Sequence, residues 1–274
     1  MKRTPPPPGG RVLLAFTILL FSLPLVWMVL ASVKPIWQLK QDPFSLMPQE
    51  WHWSNYRLAV QSMPYVRYLS NTLLLCCGSV VGTLTSCSLA AYALARLRWR
   101  GRKLCLTLVI ATMLLPWHVT MIPRFLLLRE IGLYNSLAAI ILPTFLGDAF
   151  FIFLLRQFFL SIPEELSEAA RLDGLSEWGV FCQIILPLSK PVLATVALFQ
   201  FVATWNDFGG PLLYLSDPDK FPLAYGLERF LSVYSDQTHL LMAAATLFTL
   251  PIVVLFFLTQ RTFLSGIKMT GVKG

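Results

Sequence analysis

Residues 161–187 read SIPEELSEAARLDGLSEWGVFCQIILP, a polar interruption in a chain that is otherwise largely apolar. The charged residues of this stretch are Glu164, Glu165, Glu168, Arg171, Asp173 and Glu177. A charged helix between two membrane spans cannot remain in lipid, because charged side chains are expensive to bury there. We therefore expect the stretch to lie in water, where a soluble partner can contact it.

The local pattern predicts a helix, a turn and a second helix. Ser161 and Glu164 match the S-x-x-E capping box, in which each side chain satisfies a free backbone N–H at the start of a helix. Ala169 and Ala170 are expected side by side on one helix face, and Gly174 stands where helices often end in a left-handed residue. A second helical pattern runs from about residue 176 to residue 187. An ordinary surface loop containing a capped helix would have the same composition.

The spacing within this stretch is more specific than its composition. It reads EAA, three residues, G, nine residues, then I-x-L-P, which resembles the EAA loop of ABC importer permeases at every fixed position. Those positions are Glu168, Ala169, Ala170, Gly174, Ile184, Leu186 and Pro187. The loop also lies between two hydrophobic stretches, as it does in that family.

Further segments extend the resemblance. Residues 124–144 and 149–163 look like the region that precedes the loop in carbohydrate-type permeases. The residues WNDF at 205–208 and the tail TGVKG at 270–274 resemble the same family. The chain is similar to the second permease subunit of a carbohydrate-uptake ABC transporter, related to maltose and glycerol-3-phosphate permeases. The resemblance covers most of residues 65–274 and is weakest over the first sixty or so.

The resemblance implies a way of coupling transport to ATP hydrolysis. In this family the EAA helix seats in a cleft of a partner ATPase, where small alanines allow close approach and Glu168 and Asp173 can meet basic groups. The implied coupling residues are Glu168, Ala169, Ala170, Asp173, Gly174, Ile184, Leu186 and Pro187. The implied partners are a second permease subunit, two ATP-binding cassette ATPase subunits and an extracytoplasmic solute-binding protein.

The chain itself has no ATP-binding motif. Its sequence contains no G-x-x-x-x-G-K-[ST] loop, so it cannot bind ATP by a P-loop. The resemblance therefore implies no cofactor in this chain, with ATP and magnesium bound by the ATPase subunits, and alternating access driven from there. No catalytic constellation is evident either, since the three histidines are scattered and the five cysteines lack metal-ligand spacing. We expect no enzyme activity and no metal site.

Composition indicates an integral membrane protein. Of the 274 residues, 56% are hydrophobic and 13% are charged, whereas soluble domains carry about 25% charged residues. A helix of about 20 apolar residues spans a bilayer. We predict an all-α fold of six transmembrane helices with a cytoplasmic EAA coupling helix between helices four and five. The predicted spans are 12–33, 69–95, 104–122, 137–159, 187–208 and 240–263.

Prolines and glycines are expected to shape these spans. Pro116 should kink the third span and Pro251 should bend the sixth. Gly78 and Gly82 allow close helix packing in the second. Relatives often carry larger residues where Gly209 and Gly210 stand here, so a looser chain is expected at the end of span five.

The position of the positive charges predicts the topology. By the positive-inside rule, the three basic regions are cytoplasmic, which places both termini and residues 161–187 inside and residues 34–68 outside. The latter, with its two tryptophans, is expected to be a folded segment on the outer surface of a bacterial inner-membrane protein. The basic residues are Lys2, Arg3 and Arg11 before span one, Arg96, Arg98, Arg100, Arg102 and Lys103 between spans two and three, and Arg261, Lys268 and Lys273 at or after the end of span six.

The predicted domain organisation follows from these spans. Residues 1–11 form a cytoplasmic lead, 12–263 the permease domain and 264–274 a cytoplasmic tail. The permease core covers about 65–263, and the coupling loop is 161–187. The first span is too long for a signal peptide and is expected to be retained. A basic run wedged between membrane spans does not favour nucleic-acid binding, so the partners are expected to be proteins and the lipid bilayer.

Polar residues inside spans predict a solute path. A carboxylate at mid-helix costs about 2.5–3.5 kcal/mol, so Asp148 should face the bundle interior or a water-filled path. Alternatively, it lies near the outer interface and span four begins later. Gln200 and Thr204, with Asn206 and Asp207 at the outer end of span five, either line a sugar path or hydrogen-bond between helices, the second being favoured. We predict that Asp148, Gln200 and Asn206 belong to the substrate pathway, with Asp148 and Gln200 on one cavity.

Two alternative functions remain open at this point. One is an ABC permease for another solute class, such as amino acids or metals, against which the carboxyl-terminal pattern argues. The other is a secondary transporter without an ATPase, which would tend to show paired broken helices in two internal halves. No such repeat is visible in the sequence.

Overall fold

The computed structural model describes residues 8–233 and 236–270, with side chains from 9 to 232 and from 236 to 259. Every regular element within these ranges is a helix, which confirms the all-α class. The first seven residues of the predicted lead and the last four of the predicted tail lie outside the described residues. The chain divides into two compact units, one of Met1–Tyr65 with Gly226–Pro251 and the other of Val66–Tyr225 with Ile252–Gly274.

The first unit contains three helices before residue 65 and parts of two later ones. Small residues fill its core, where Ala59, Ala243 and Ala244 are buried against one another. The helices are α1 (Pro8–Ser32), α2 (Ile36–Gln41) and α3 (Ser54–Gln61), followed later by α14 (Leu223–Val233) and α15 (Thr238–Thr270).

The segment between α1 and α3 is folded, as expected, and buried amides hold it in place. Asn55 Nδ2 donates to the carbonyl oxygens of Ser32 and Lys34, both at 2.9 Å. Gln38 Nε2 donates to Met47 O at 2.8 Å. These bonds satisfy loop carbonyls that would otherwise be buried without partners, because an unpaired buried backbone group is costly.

The second unit contains the coupling loop and most of the predicted spans. Its core is formed by side chains with no exposed surface, among them Leu155, Phe159, Ile185 and Val196. Its helices are α4 (Tyr65–Ala95), α5 (Arg102–Thr112), α6 (Trp117–Glu130), α7 (Ala138–Ile141), α8 (Ala149–Ser161), α9 (Glu164–Leu172), α10 (Glu177–Val180), α11 (Leu186–Leu188), α12 (Lys190–Trp205) and α13 (Gly209–Tyr214). A 3₁₀ turn (Leu142–Leu146) precedes α8, a π-helical turn (Phe181–Ile185) precedes α11, and a 3₁₀ turn (Pro218–Lys220) follows α13.

Within the described residues, four helical segments are long and apolar enough to cross a bilayer, and two bent helix pairs bring the number to as many as six. The four segments are Gly9–Ser32, Tyr65–Ala95, Ala138–Ser161 and Thr238–Thr259. The bent pairs are Arg102–Thr112 with Trp117–Glu130, at 101°, and Glu177–Leu188 with Lys190–Trp205, at 78°.

The third span differs from the prediction. A single kinked helix was expected over residues 104–122, but α5 ends at Thr112 and α6 starts afresh at Trp117. Pro116 is extended (φ −63°, ψ 142°) and serves as the N-cap of α6. Proline has no N–H to continue the ladder, and its ring clashes with the preceding turn, so here it ends the helix instead of kinking it. This break turns the start of α6 sharply away from α5.

Close packing at the glycines of α4 is confirmed. A Cβ placed on Gly82 would overlap Thr144 Oγ1 and lie 2.8 Å from the ring of Phe145. A Cβ on Gly78 would lie 2.9 Å from Ile141. The absence of side chains at these positions lets the 142–146 turn lie directly against α4.

We expect Gly82→Val to destabilise the protein by about 1–3 kcal/mol, because the added methyls overpack the contact with Thr144 and Phe145. The measurement is the thermal unfolding midpoint in detergent. Gly9→Val is the matched control, since a Cβ at Gly9 meets nothing within 4 Å. Equal midpoints for the two variants would show that this contact is not tight.

Candidate coupling loop and polar cavity

The coupling helix α9 begins differently from the prediction. Ser161 still belongs to α8, and its Oγ donates to Phe158 O at 2.6 Å, so it forms no capping box with Glu164. Ile162 and Pro163 are extended, and Pro163 is the N-cap without a side-chain bond. The residue before a proline is disfavoured in the α region. The capping-box prediction is therefore wrong, because the proline separates the two helices.

The end of α9 matches the prediction. Gly174 has a φ of 88°, in the left-handed region. Leu175 N donates to Ala170 O and Gly174 N donates to Arg171 O, both at 3.0 Å. This pair of bonds is a Schellman motif, which satisfies carbonyls at the end of a helix. The turn aims the chain toward α10, whose first amides are capped by Ser176 Oγ, an acceptor for Gly179 N at 3.2 Å.

We predicted that Ala169 and Ala170 lie side by side on one face of α9, but the structure places them on different faces. Ala170 is 5% exposed and packs into the core, whereas Ala169 is exposed. Glu168 is exposed beside Ala169, and the Leu172 side chain is 89% exposed. Adjacent residues on a helix are about 100° apart, so they seldom point the same way. The helix thus has an acidic and apolar outer face and a small-residue inner face.

A polar cluster fastens α9 to its neighbours. Arg171 Nε donates to Glu177 Oε1 at 2.7 Å, and the Tyr92 hydroxyl donates to Glu177 Oε2 at 2.7 Å. One carboxylate therefore joins α9, α10 and the carboxyl-terminal part of α4. Bonds between a guanidinium and a carboxylate are about twice as strong as neutral ones. Tyr92 could not be predicted from the sequence, because it lies far from the loop in the chain.

Arg96 provides a second attachment. Its Nη2 donates to Phe159 O at 2.6 Å and also to Ile162 O, which lie in the last turn of α8 and directly after it. Arg156 Nε donates back to Leu94 O at 3.1 Å. The end of α4 and the end of α8 are therefore bound to each other in both directions, so a shift of the end of α8 must carry α4 with it or break these bonds.

The remaining motif residues have different surroundings. Ile184 and Leu186 are partly buried against the core, whereas Pro187 and Asp173 are exposed. Ile184 lies in the π-helical turn, and Leu186 begins the short α11 before the 78° bend into α12. Ile184 and Leu186 pack inside the unit at the point where the chain leaves the loop.

A polar cavity of about 600 Å³ lies in the same unit. Gln200 and Asn206, both predicted for the pathway, line it. Gln200 Oε1 accepts from Thr83 Oγ1 on α4 at 3.1 Å, a bond between helices, and its Nε2 donates to Thr204 Oγ1 on the same helix at 2.9 Å. The favoured packing role is therefore confirmed for Gln200, and its side chain reaches the cavity as well.

Asp148 does not line the cavity with Gln200, so that prediction is wrong. Gly147 has a φ of 90° and interrupts the fourth span, and Asp148 becomes the exposed N-cap of α8. Its Oδ1 accepts from Phe150 N at 2.9 Å and from Phe151 N at 3.2 Å. Its own backbone N–H donates to Cys87 Sγ at 3.2 Å. The carboxylate satisfies free helix amides, which is a capping role.

Several residues of the cavity were missed or misjudged from the sequence. Trp117 and Arg124 reach it because α6 starts at the Pro116 break. Asp207 follows the end of α12 and caps α13, its Oδ1 accepting from Gly210 N at 2.9 Å.

The chain at Gly209 and Gly210 is tight, not loose as expected. A Cβ on Gly210 would lie 2.5 Å from Asp207 Oδ2, and one on Gly209 would lie 3.3 Å from the Trp117 ring. Larger residues are absent here because the carboxylate and the indole occupy their space. Among the residues that the structure describes, no cluster of histidine, cysteine or acidic side chains could hold a metal ion.

Comparison with known proteins then assigns the family. A model of the family described as "Binding-protein-dependent transport system inner membrane component" matches residues 82–268. This chain belongs to that permease family. It is therefore a subunit of a transporter, in agreement with the resemblance carried by the EAA loop.

Relatives of this permease cover almost its whole length. The arabinooligosaccharides transport system permease protein AraQ of Halalkalibacterium halodurans is 34% identical over 95% of this chain and 94% of its own. The diacetylchitobiose uptake system permease protein NgcG of Streptomyces coelicolor is 30% identical over 94% and 86%. A chain from the crystal structure of a bacterial ABC transporter involved in the import of the acidic polysaccharide alginate has a TM-score of 0.82 and 27% identity, covering 93% of this permease and 95% of that chain.

Substitution of Gly174 tests the local geometry of the coupling loop. We expect Gly174→Val to cost about 1–2 kcal/mol, because a side chain at positive φ is strained and no neighbour lies within 4 Å of its Cβ to add a clash. In hydrogen–deuterium exchange, amides at the end of α9 should exchange about five- to thirtyfold faster. Gly174→Asn is the control, since asparagine tolerates the left-handed region, and identical exchange in both variants would contradict the assignment.

Proposed function

We propose that this chain is one of two permease subunits of an ABC importer that moves a carbohydrate across the cytoplasmic membrane by alternating access. ATP hydrolysis in two separate ATPase subunits supplies the energy, and an extracytoplasmic solute-binding protein delivers the solute. The saccharides in the names of several relatives support the carbohydrate class. ATP and magnesium belong to the ATPase subunits, and this chain carries no cofactor of its own.

The observation that carries the proposal is the two-sided character of α9. Its outer face exposes Glu168 and Leu172, which no described residue covers. Exposed apolar side chains rimmed by charge are typical of protein interfaces. Its inner side is bound through Arg171 to Glu177 and Tyr92. A partner that binds the outer face of α9 can therefore move α4 through the bonds of Arg171 and Tyr92 to Glu177.

ATP hydrolysis can drive the permease only to the extent that the ATPase pair binds the two conformations of the permease with different affinities. In this mechanism Glu168, Ala169, Asp173 and Gly174 contact the ATPase cleft directly. Ala170, Ile184, Leu186 and Pro187 act from behind, by holding the helix and the bend that follows it.

The proposed topology has six spans. The bent pairs Arg102–Thr112 with Trp117–Glu130 and Glu177–Leu188 with Lys190–Trp205 supply the third and fifth, although Glu177 and the turn after it remain at the cytoplasmic surface. Both termini, residues 96–103 and residues 161–187 are cytoplasmic, and residues 34–68 face outward. The permease domain extends over 12–263 between a short lead (1–11) and tail (264–274).

Thiol labelling tests this topology. In a cysteine-free protein, Gln49→Cys should react with a membrane-impermeant reagent in intact cells, because it lies in the segment proposed to face outward. Glu165→Cys should react only in inverted vesicles, since α9 is proposed to be cytoplasmic. The reverse pattern would contradict the positive-inside assignment.

Substitutions on the outer face of α9 test the coupling role. Glu168→Lys and Leu172→Ala should each weaken ATPase association by about 1–2 kcal/mol, roughly five- to thirtyfold, with a matching fall in uptake. Thermal stability should stay at the parent value, because both side chains are exposed. The measurement is the amount of ATPase that co-purifies at equal permease expression. Glu228→Lys, an exposed glutamate on α14, is the control, and full association in both loop variants would refute the assigned role of α9.

A further inference from the structure

The polar cavity contains two buried hydroxyl groups without partners. Ser79 on α4 is 1% exposed and Tyr214 on α13 is 3% exposed, yet neither hydroxyl makes a hydrogen bond with a described residue. Both side chains line the cavity. Native proteins pair nearly all buried polar groups, so two orphans on one cavity indicate a ligand that supplies the missing bonds.

The charges of the cavity are also unpaired. Arg124 lines it from α6 and makes no hydrogen bond or ion pair with any described residue. Asp207 lines it from the end of α12 and is within ion-pair distance of no described cation, Arg124 included. Because Arg124 and Asp207 do not form an ion pair with each other, both keep hydrogen-bonding capacity that a molecule in the cavity can use.

An aromatic surface completes the cavity. The Trp117 indole is 41% exposed, and Gly209 allows the chain after α12 to approach it closely. Phe208 lines the cavity as well. Apolar and aromatic walls with a few convergent polar groups are typical of small-molecule sites, and a volume of about 600 Å³ lies within their usual range.

We propose that this cavity binds one uncharged saccharide unit of the transported solute, so that this subunit contacts the solute directly. The inference rests on the proposed carbohydrate function. Sugar hydroxyls accept from Arg124, Ser79 and Tyr214 and donate to Asp207, while the apolar face of the ring lies on Trp117. A uronate that pairs with Arg124 would bring a second negative charge into the cavity that contains Asp207, and an ammonium sugar that pairs with Asp207 would bring a second positive charge toward Arg124. An apolar solute would leave the hydroxyl groups of Ser79 and Tyr214 without hydrogen-bond partners.

The test uses the complete transporter, purified with its ATPase and second permease subunits in nanodiscs. Uptake is first screened in proteoliposomes that contain the same complex, supplied with the binding protein and ATP, with neutral oligosaccharides and with matched oligomers in which C6 is oxidised to a uronate. The transported neutral oligomer is then tritiated, and its dissociation constant is measured without the binding protein. Ser79→Ala and Tyr214→Phe each remove one hydroxyl and should weaken binding about three- to tenfold. Ser88→Ala and Tyr225→Phe, both outside the cavity lining, should leave it unchanged.

Charge discrimination gives an independent readout. The parent should bind the neutral oligomer about tenfold more tightly than its uronate counterpart, and Asp207→Asn should reduce that difference. Unchanged affinity in both hydroxyl variants, or preference of the parent for the uronate, would overturn the proposal. Either result would contradict only the proposed saccharide site. The proposed coupling function would still stand as long as uptake and ATPase association are retained. Transport of a non-carbohydrate solute alone would overturn the inference and the proposed substrate class together.

Discussion

Every break in the apolar helices of this protein must satisfy the backbone groups that it frees, and most of the structure follows from how this is done. In lipid no water is available to pair a free N–H or C=O. The breaks before α8 and α13 are each closed by a side-chain oxygen, from Asp148 and Asp207 respectively. At Pro116 the proline supplies no N–H that would need a partner. Because each break is closed locally, the chain can turn sharply and still leave a polar cavity between its helices.

The coupling loop and the cavity are connected through α4. This helix carries Tyr92 at the loop and Ser79 at the cavity, and both belong to one continuous helix of 31 residues. A helix of this length without a break is stiff over the distance that separates the two sites. In the proposed mechanism, movement at the loop would therefore reach the cavity as displacement of α4 as a whole.

The sequence predicted the fold class, the apolar segments and the left-handed end of α9 because these depend on local chemistry. Periodicity and charge depletion identify helices in lipid, and glycine at position 174 indicates positive φ. The cavity was only half predicted, since Gln200 and Asn206 reach it whereas Asp148 does not. An acidic residue in an apolar stretch signals either a pathway or a cap, and the distinction depends on the turn at Gly147. Tyr92, Ser79 and Tyr214 gave no signal because their partners are distant in the chain.

Cys87 is a buried packing residue that also accepts a hydrogen bond from a free backbone N–H. Its sulfur has no exposed surface and accepts the N–H of Asp148 at the fourth-span break. Alanine at this position would fill similar space but leave that amide without an acceptor inside the unit, whereas serine would preserve one. Cysteine-free versions of this permease are therefore not equivalent: the residue chosen at position 87 decides whether the break before α8 keeps its geometry.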